Sequence, residues 1–317
     1  MKIVFLDAYT LNPGDIDVTE LSSLGDIKFY DRSREDEILE RCIDASVIIT
    51  NKCVLTKEII EKLPELKLIQ VAATGYNNID LETAKNQNIT VCNVQGYSTE
   101  SVVQHTFALL LSYLNNVSRY NREVSRNEWS TKKDFSYWEE PILDLSGLTF
   151  GVVGYGKIGS AIADVALAFG MKVLVSHTRE LDIQKENLSF HSLDYVLNNV
   201  DILSLNAPLN KSTHQLINAE TLSKMKSNAI LINTSRGGLV NEMDLADAIK
   251  KNIIKAALLD VMMEEPPPMN HPLFALDNCI ITPHQAWANQ GARKKLLNGI
   301  IGNIRNFQKG KPSNVVV

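Results

Sequence analysis

The chain has 317 residues, enough at roughly 100–200 residues per domain for two domains with a core each. Lys and Arg number 32 against 37 Asp and Glu, a formal charge of −5, while 44% of residues are hydrophobic and 22% charged. These values exclude disordered, collagen-like and small disulfide-scaffold classes, and mild acidity without a basic cluster argues against nucleic acid or a membrane as main partner.

A first strand is expected at residues 3–6, because the apolar run before Asp7 is too short for a signal-peptide core of roughly 7–15 residues. Further β-rich runs lie at 27–30, 47–50, 68–72 and 89–92, with amphipathic stretches such as 36–43 and 57–63 between them. Strands spaced by helices imply βαβ units and a parallel sheet. From residue 100 to about 121 a helical period (Val103, Phe107, Leu110, Leu111, Leu114) predicts one long helix joining two lobes. Its most apolar part, 102–114, falls short of the roughly 18 residues of a membrane span. A polar, irregular stretch with Trp129, Trp138 and Pro141 follows over 126–147.

A second alternating series has strand-like runs at 150–153, 173–176, 202–205, 229–233, 256–260 and 279–282, the six strands of a complete dinucleotide fold. The final helix is expected over 288–307, ending near Gly310 and Pro312. Cys42, Cys53, Cys92 and Cys279 form no CxxC pair and read as reduced thiols of a cytosolic protein.

Gly154-Tyr155-Gly156-Lys157-Ile158-Gly159 lies between the 150–153 strand and an Ala-rich helix, the context that a dinucleotide fingerprint requires. Gly154 permits the turn, Gly156 lets the backbone approach a pyrophosphate, and Gly159 lets helix and strand pack closely. The helix N-terminus offers its N–H groups to the phosphates. The next strand ends Ser176-His177-Thr178-Arg179, with no acid before Glu180, where NAD binders usually carry Asp or Glu for the ribose. Without that carboxylate a 2′-phosphate is not repelled, and Arg179 with the Ser176 and Thr178 hydroxyls could bind one, so NADP acceptance is expected. The competing reading leaves the ribose to Glu180 or backbone groups and Arg179 to solvent.

Ligands of open α/β sheets bind outside the carboxyl ends of the strands. Off 229–233 comes Thr234-Ser235-Arg236-Gly237-Gly238, off 256–259 come Asp260 and then Glu265-Pro266, and off 279–282 comes Pro283-His284. Each has an ordinary alternative: Arg236 in a surface ion pair, Glu265 a solvated loop acid, His284 a hydrogen-bonded core histidine. Jointly they form an acid/base device. Arg236 could grip a substrate carboxylate and polarise the neighbouring carbonyl, His284 exchange a proton, and Glu265 fix the imidazole tautomer and favour its charged form. No HExxH or clustered Cys/His spacing points to a metal, and Thr234-Ser235-Arg236-Gly237 lacks the GxSxG frame of a nucleophilic serine.

With these motifs, and with Ala72-Ala73-Thr74-Gly75-Tyr76-Asn77-Asn78-Ile79-Asp80, Val94-Gln95-Gly96-Tyr97-Ser98-Thr99-Glu100, Leu259-Asp260-Val261, Thr282-Pro283-His284 and Trp287, the chain resembles the D-isomer-specific 2-hydroxyacid dehydrogenases. The likeness covers essentially its whole length and is nearest to the glycerate dehydrogenases, also called hydroxypyruvate reductases. It implies an α/β fold of two Rossmann-like parallel-sheet domains, one flavodoxin-like and one dinucleotide-binding, of the formate/glycerate dehydrogenase type. Residues 1–99 and 286–317 would form the substrate-binding domain, and 100–285 the inserted NAD(P)-binding domain.

The same resemblance implies catalytic roles for Arg236, Glu265 and His284, and places Asp260 at the nicotinamide carboxamide. It puts Lys157 and Ile158 at the pyrophosphate, Asn206-Ala207-Pro208 beside the adenosine half, and Thr234 and Ser235 on the cofactor side. Amides around Ala73, Thr74 and Gly75 would hold the substrate carboxylate, with Tyr76, Tyr97 and Trp287 shaping the pocket. The implied activity is hydride transfer between NAD or NADP and a small 2-oxo acid, hydroxypyruvate or glyoxylate foremost, in a cytoplasmic homodimer. Alternatives are a related D-lactate dehydrogenase or 2-ketogluconate reductase and, from another class, a dinucleotide-sensing, corepressor-like scaffold without catalysis. Three departures bear on the ligand sites: His177 stands where NAD-linked relatives carry aspartate, Gln285 follows the histidine where an aliphatic residue is common, and Pro266-Pro267-Pro268 is unusual. The chain's end at Val317 argues against the long, regulated phosphoglycerate dehydrogenases.

Overall fold

A computed structural model describes residues 1–139, 141–179, 181 and 183–317. In chain order the elements are β1 (Lys2–Phe5), α1 (Thr19–Ser22), β2 (Asp26–Phe29), α2 (Glu35–Cys42), β3 (Val47–Thr50), α3 (Lys57–Ile60), β4 (Leu68–Val71), α4 (Leu81–Asn86) and β5 (Thr90–Cys92). Then come α5 (Thr99–Asn115), α6 (Val117–Ser125), β6 (Thr149–Val153), α7 (Lys157–Ala168), β7 (Lys172–Ser176), β8 (Leu188–Phe190), α8 (Leu193–Asn199) and β9 (Ile202–Leu205). The chain closes with α9 (Ala219–Ser223), β10 (Ile230–Asn233), α10 (Glu242–Lys250), β11 (Ala256–Leu259), β12 (Cys279–Ile281) and α11 (Gln290–Gln308).

Two compact units result: Met1–Ser98 with Trp287–Val317, and Thr99–Ala286. The first holds a parallel sheet in the order β2-β1-β3-β4-β5, the flavodoxin-like arrangement. Its central strands, Val-Ile-Ile-Thr and Leu-Ile-Gln-Val, are buried at every position, as continuous apolar runs are when both sheet faces are covered. Leu296, Leu297, Ile300, Ile301 and Ile304 of α11 pack with Ile3, Phe5, Val47 and Ile49, which is why the C-terminal segment belongs with the first strands.

The second unit carries a seven-stranded parallel sheet in the order β12-β11-β10-β9-β6-β7-β8. The seventh strand, β8, was not among the six expected. It is a three-residue edge strand entered through Asn187 at φ 60°, too short to carry a periodic signal. The single long helix expected to about residue 121 is two helices. Asn116 takes a left-handed conformation, φ 49°, and the apolar stripe of α5 ends at Leu114, while α6 buries nothing. Asn tolerates that backbone region, so the chain breaks where core contact ends. All four cysteines are free thiols, and burial pushes Cys42, Cys53 and Cys279 up to about 12 and Cys92 to about 11, so they stay protonated.

Candidate active site

The glycine turn joins β6, which lies between β9 and β7 inside the seven-stranded sheet, to α7. Gly154 sits at φ +91°, and a Cβ there would lie 2.8 Å from the Asn206 carbonyl and the Ala207 nitrogen. A Cβ on Gly159 would come within 2.1 Å of the Gly154 oxygen, so any side chain would drive helix from turn. Gly156, by contrast, faces open space. It caps α7 without any side-chain hydrogen bond, which leaves the N–H groups of Lys157 and Ile158 directed at that space with the positive end of the helix dipole. At the neighbouring strand end, Asn206 Oδ1 is buried with no partner among the described residues. An open glycine cradle, an uncapped helix start and an orphaned acceptor fit a pyrophosphate-bearing dinucleotide.

At the end of β7, the Tyr155 N–H donates to His177 Nδ1 at 3.2 Å, so the ring's hydrogen resides on Nε2. His177 therefore ties the strand end to the glycine turn and offers a donor where an aspartate would offer an acceptor. Ser176 is half-buried, Thr178 and Arg179 are exposed, and Arg179 makes no ion pair among the described residues. Glu180, the competing ribose ligand, lies outside the described residues.

Strands β10, β11 and β12 are neighbours, with Asn233, Leu259 and Ile281 in one register row. Arg236 and His284 each stand three residues past that row on strands two apart, a lateral separation of about 9–10 Å at the usual strand spacing. Asn233 staples the first turn: its Nδ2 donates to the Arg236 carbonyl (2.9 Å) and its Oδ1 accepts from the Ser235 N–H (3.1 Å). The Ser235 hydroxyl donates to the Ala207 carbonyl (3.1 Å), and that of Thr234 meets Thr106 (3.1 Å). Arg236 Nη1 donates to the Ser235 carbonyl at 2.8 Å, and the guanidinium has no carboxylate partner among the described residues. The surface ion pair considered from sequence is absent there.

His284 Nδ1 lies 2.6 Å from Glu265 Oε2, and the other carboxylate oxygen accepts the Met262 N–H at 3.0 Å. The His284 side chain is 25% exposed, which removes the core-histidine reading. The residue is held at φ +50°, a left-handed conformation that is costly outside glycine. Its N–H donates to the carbonyls of Asp260 (2.8 Å) and Thr282 (3.0 Å), which hold it there.

Asp260 organises this corner. It is 1% exposed, accepting the N–H groups of Gln285 (2.9 Å) and Ala286 (2.8 Å) and the Thr282 hydroxyl (2.6 Å), with His105 Nε2 at 3.3 Å. Burial raises its proton affinity, but the bonds from His105, Thr282 and the two backbone N–H groups outweigh that and hold the carboxyl below its usual range. Its carboxylate thus builds the turn that displays His284, whatever a cofactor adds.

In the first unit, the turn after β4 is clamped by the tail of β5. Val94 N–H donates to the Ala73 carbonyl (3.1 Å), Asn93 Nδ2 to that of Thr74 (2.8 Å), and the Thr74 hydroxyl to that of Val94 (3.0 Å). Gly75 lies half-buried beside them, and Trp287 meets Tyr97 edge-on at 6.3 Å.

A dinucleotide turn inside a parallel sheet, with a paired histidine and glutamate at its rim and an arginine there without a carboxylate partner among the described residues, is the equipment of a nicotinamide-dependent dehydrogenase. The family described as D-isomer specific 2-hydroxyacid dehydrogenase, NAD binding domain, matches residues 107–286. The chain is 41% identical to a hydroxypyruvate reductase of Blautia hydrogenotrophica, over 100% of this chain and 99% of that one. It is 39% identical to a glycerate dehydrogenase of Methylorubrum extorquens, over 99% and 98%. Among solved structures, a D-lactate dehydrogenase of Aquifex aeolicus complexed with NAD and lactic acid superposes with a TM-score of 0.83 at 31% identity, over 98% of this chain and 96% of that one. An acyclic imino acid reductase in complex with NADPH and D-Arg does so at 0.87 and 29%, over the full length of both. The chain belongs to the D-isomer-specific 2-hydroxyacid dehydrogenases. It is an oxidoreductase of CH–OH donors that uses a nicotinamide cofactor, and no helix among the described residues is long and apolar enough to cross a membrane.

Sequence reasoning missed His105, Glu242 and His271, each engaged around the rim. Their partners lie 177, 21 and 29 residues away, and no local pattern marks them.

Proposed function

We propose that the protein reduces small 2-oxo acids to D-2-hydroxy acids, hydroxypyruvate and glyoxylate foremost, and works in the cytoplasm as a homodimer. One observation carries the reading: the 2.6 Å pairing of His284 with Glu265 on the rim that also bears Arg236, which has no carboxylate partner among the described residues. The names hydroxypyruvate reductase and glycerate dehydrogenase describe the two directions of one reaction, which favours hydroxypyruvate.

When bound, the reduced nicotinamide supplies the hydride. Arg236 takes the substrate carboxylate in a two-pronged hydrogen bond and draws charge toward the neighbouring carbonyl oxygen. His284, its Nδ1 engaged by Glu265, presents Nε2–H and protonates that oxygen as negative charge develops. In the oxidative direction the neutral Nε2 accepts the hydroxyl proton. Glu265 keeps the ring in one orientation and faces the imidazolium with a carboxylate. By family likeness, Ala73, Thr74, Gly75 and Trp287 bind substrate. Lys157, Ile158, Ala207, Pro208, Thr234, Ser235 and Asp260 serve the cofactor.

Absorbance assays of NADH and NADPH oxidation with hydroxypyruvate, glyoxylate, pyruvate and 2-ketogluconate test the proposal. The highest kcat/KM is expected with one of the first two, and absence of turnover with all four overturns it.

NADPH is accepted in this reading, because the strand end carries the donors of Ser176, Thr178, Arg179 and the His177 Nε2–H, and none of the described residues 176–179 is a carboxylate that would oppose a 2′-phosphate. Arg179→Asp should then lower kcat/KM for NADPH about ten- to hundredfold, the worth of one charge-assisted hydrogen bond of about 1.5–3 kcal/mol, and spare NADH. Strict NADH use by the wild type, with Arg179 indifferent, defeats this assignment.

The dimer is proposed from the exposed apolar side chains that follow α6: Trp129, Phe135 (90% exposed), Trp138 and Ile142. Light scattering should give the mass of two chains, with Phe135→Glu and Trp138→Glu together shifting it to one. A wild-type monomer at micromolar concentration rules it out.

A further inference from the structure

Glu242 opens α10 and touches none of the proposed reacting groups. Its carboxylate is nonetheless bound at both ends of the loop that carries Glu265. Oε1 accepts the Met263 N–H at 2.6 Å, just after the chain leaves β11, and Oε2 takes a hydrogen bond from His271 Nε2 at 2.9 Å, just before the 3-10 turn Pro272–Ala275. The two side chains are only 12% and 8% exposed. His271 Nδ1 accepts the Leu273 N–H at 3.4 Å, so the ring's hydrogen sits on Nε2 and points at Glu242. The carboxylate gains from its place in the first turn of a helix. Burial first, and then the Glu242 charge, push the Cys279 thiol up, so it stays protonated.

Two successive N–H groups are divided between two carboxylates: Met262 donates to Glu265 at 3.0 Å and Met263 to Glu242 at 2.6 Å. The Met262–Met263 peptide, whose N–H Glu242 accepts, also presses against the arginine turn, since a Cβ on Gly237 would lie 1.9 Å from the Met262 carbonyl carbon. The loop beyond has no core of its own, with Met263, Glu264 and Met269 exposed. Where Glu265 Oε1 sits therefore depends on Met262, whose N–H it accepts and whose following peptide, Met262–Met263, is fastened through Glu242.

We propose that Glu242, bonded to Met263 and His271, is a positioning residue that clamps the loop presenting Glu265 to His284. The inference rests on the roles given above to Glu265 and His284, and it makes the accuracy of the acid depend on a residue that meets neither substrate nor cofactor.

The test follows the His284 ring by NMR titration in the full-length protein as wild type, Glu242→Gln, Glu265→Gln and the double variant. Glu242→Gln is expected to move the His284 midpoint in the same direction as Glu265→Gln, and to add nothing in the double variant. In parallel, kcat should fall about ten- to hundredfold, since a 1 Å misplacement costs about 10²-fold, with NADH affinity unchanged. His271→Ala, which cuts the other tether, should reproduce both effects and serves if Glu242→Gln does not fold. A wild-type His284 titration in the folded Glu242 or His271 variant, or losses in kcat that multiply in the double variant, overturns the proposal. A wild-type enzyme that reduces no 2-oxo acid ends the functional reading instead, and the titration still decides the clamp.

Discussion

His284→Ala is expected to lower kcat for 2-oxo acid reduction roughly 10²–10⁴-fold, the usual worth of a positioned general acid. The carbonyl oxygen becomes an alkoxide as hydride arrives, and without Nε2–H it must take its proton from water. Coenzyme affinity, read by NADH fluorescence, should hold, because the glycine turn lies on β6 and α7, strands away from β12 in the sheet order. Stability should change little, because the side chain is partly exposed and its backbone hydrogen bonds to Asp260 and Thr282 survive truncation. A variant within tenfold of wild-type kcat, with either coenzyme, removes His284 from the chemistry.

Arg236→Gln should cost about 10²–10⁴-fold in kcat/KM, corresponding to two charge-assisted hydrogen bonds of about 1.5–3 kcal/mol each to a substrate carboxylate. Part of the loss should appear as a raised KM, because the carboxylate is gripped in the ground state, and part in kcat, because the carbonyl loses its orientation. Arg236→Lys restores the charge without the fork and should recover only a fraction. The guanidinium has no carboxylate partner among the described residues, so its removal strands no buried acid and should leave thermal stability near wild type. An unchanged KM and kcat for the oxo acid would show that the anion is held elsewhere.

The two predictions separate chemistry from binding, and the clamp proposed for Glu242 separates both from positioning. His284 is proposed as the source of the proton, Arg236 as the group that orients the substrate, and Met262 as the link by which the buried Glu242–His271 hydrogen bond reaches Glu265.

Much of this was legible in the linear chain because the relevant physics is local. Runs such as Val47–Thr50 and Ile202–Leu205 announce doubly covered strands by their unbroken apolar character. The glycine turn is legible because its spacing is dictated by one peptide turn and one helix start. Arg236, Glu265 and His284 stand out by pairing reactive chemistry with strand ends, a rule of topology that needs no coordinates. Edge strand β8 and the helix break at Asn116 were hidden because each turns on a few residues whose state depends on whether a neighbour covers them.

What the sequence by itself determined is therefore the inventory: two parallel sheets, a glycine turn between strand and helix, and the three side chains proposed to grip an anion and move a proton. Only the tertiary structure decided how those groups are held. It put His105 and Thr282 on Asp260, displayed His284 in a left-handed turn, and fastened the Glu265 loop to Glu242 and His271. The reason is one of range. Strand and helix periods arise between residues a few positions apart, whereas hydrogen bonds such as the one linking His105 to Thr282 join residues that only a folded sheet brings within 2.9 Å.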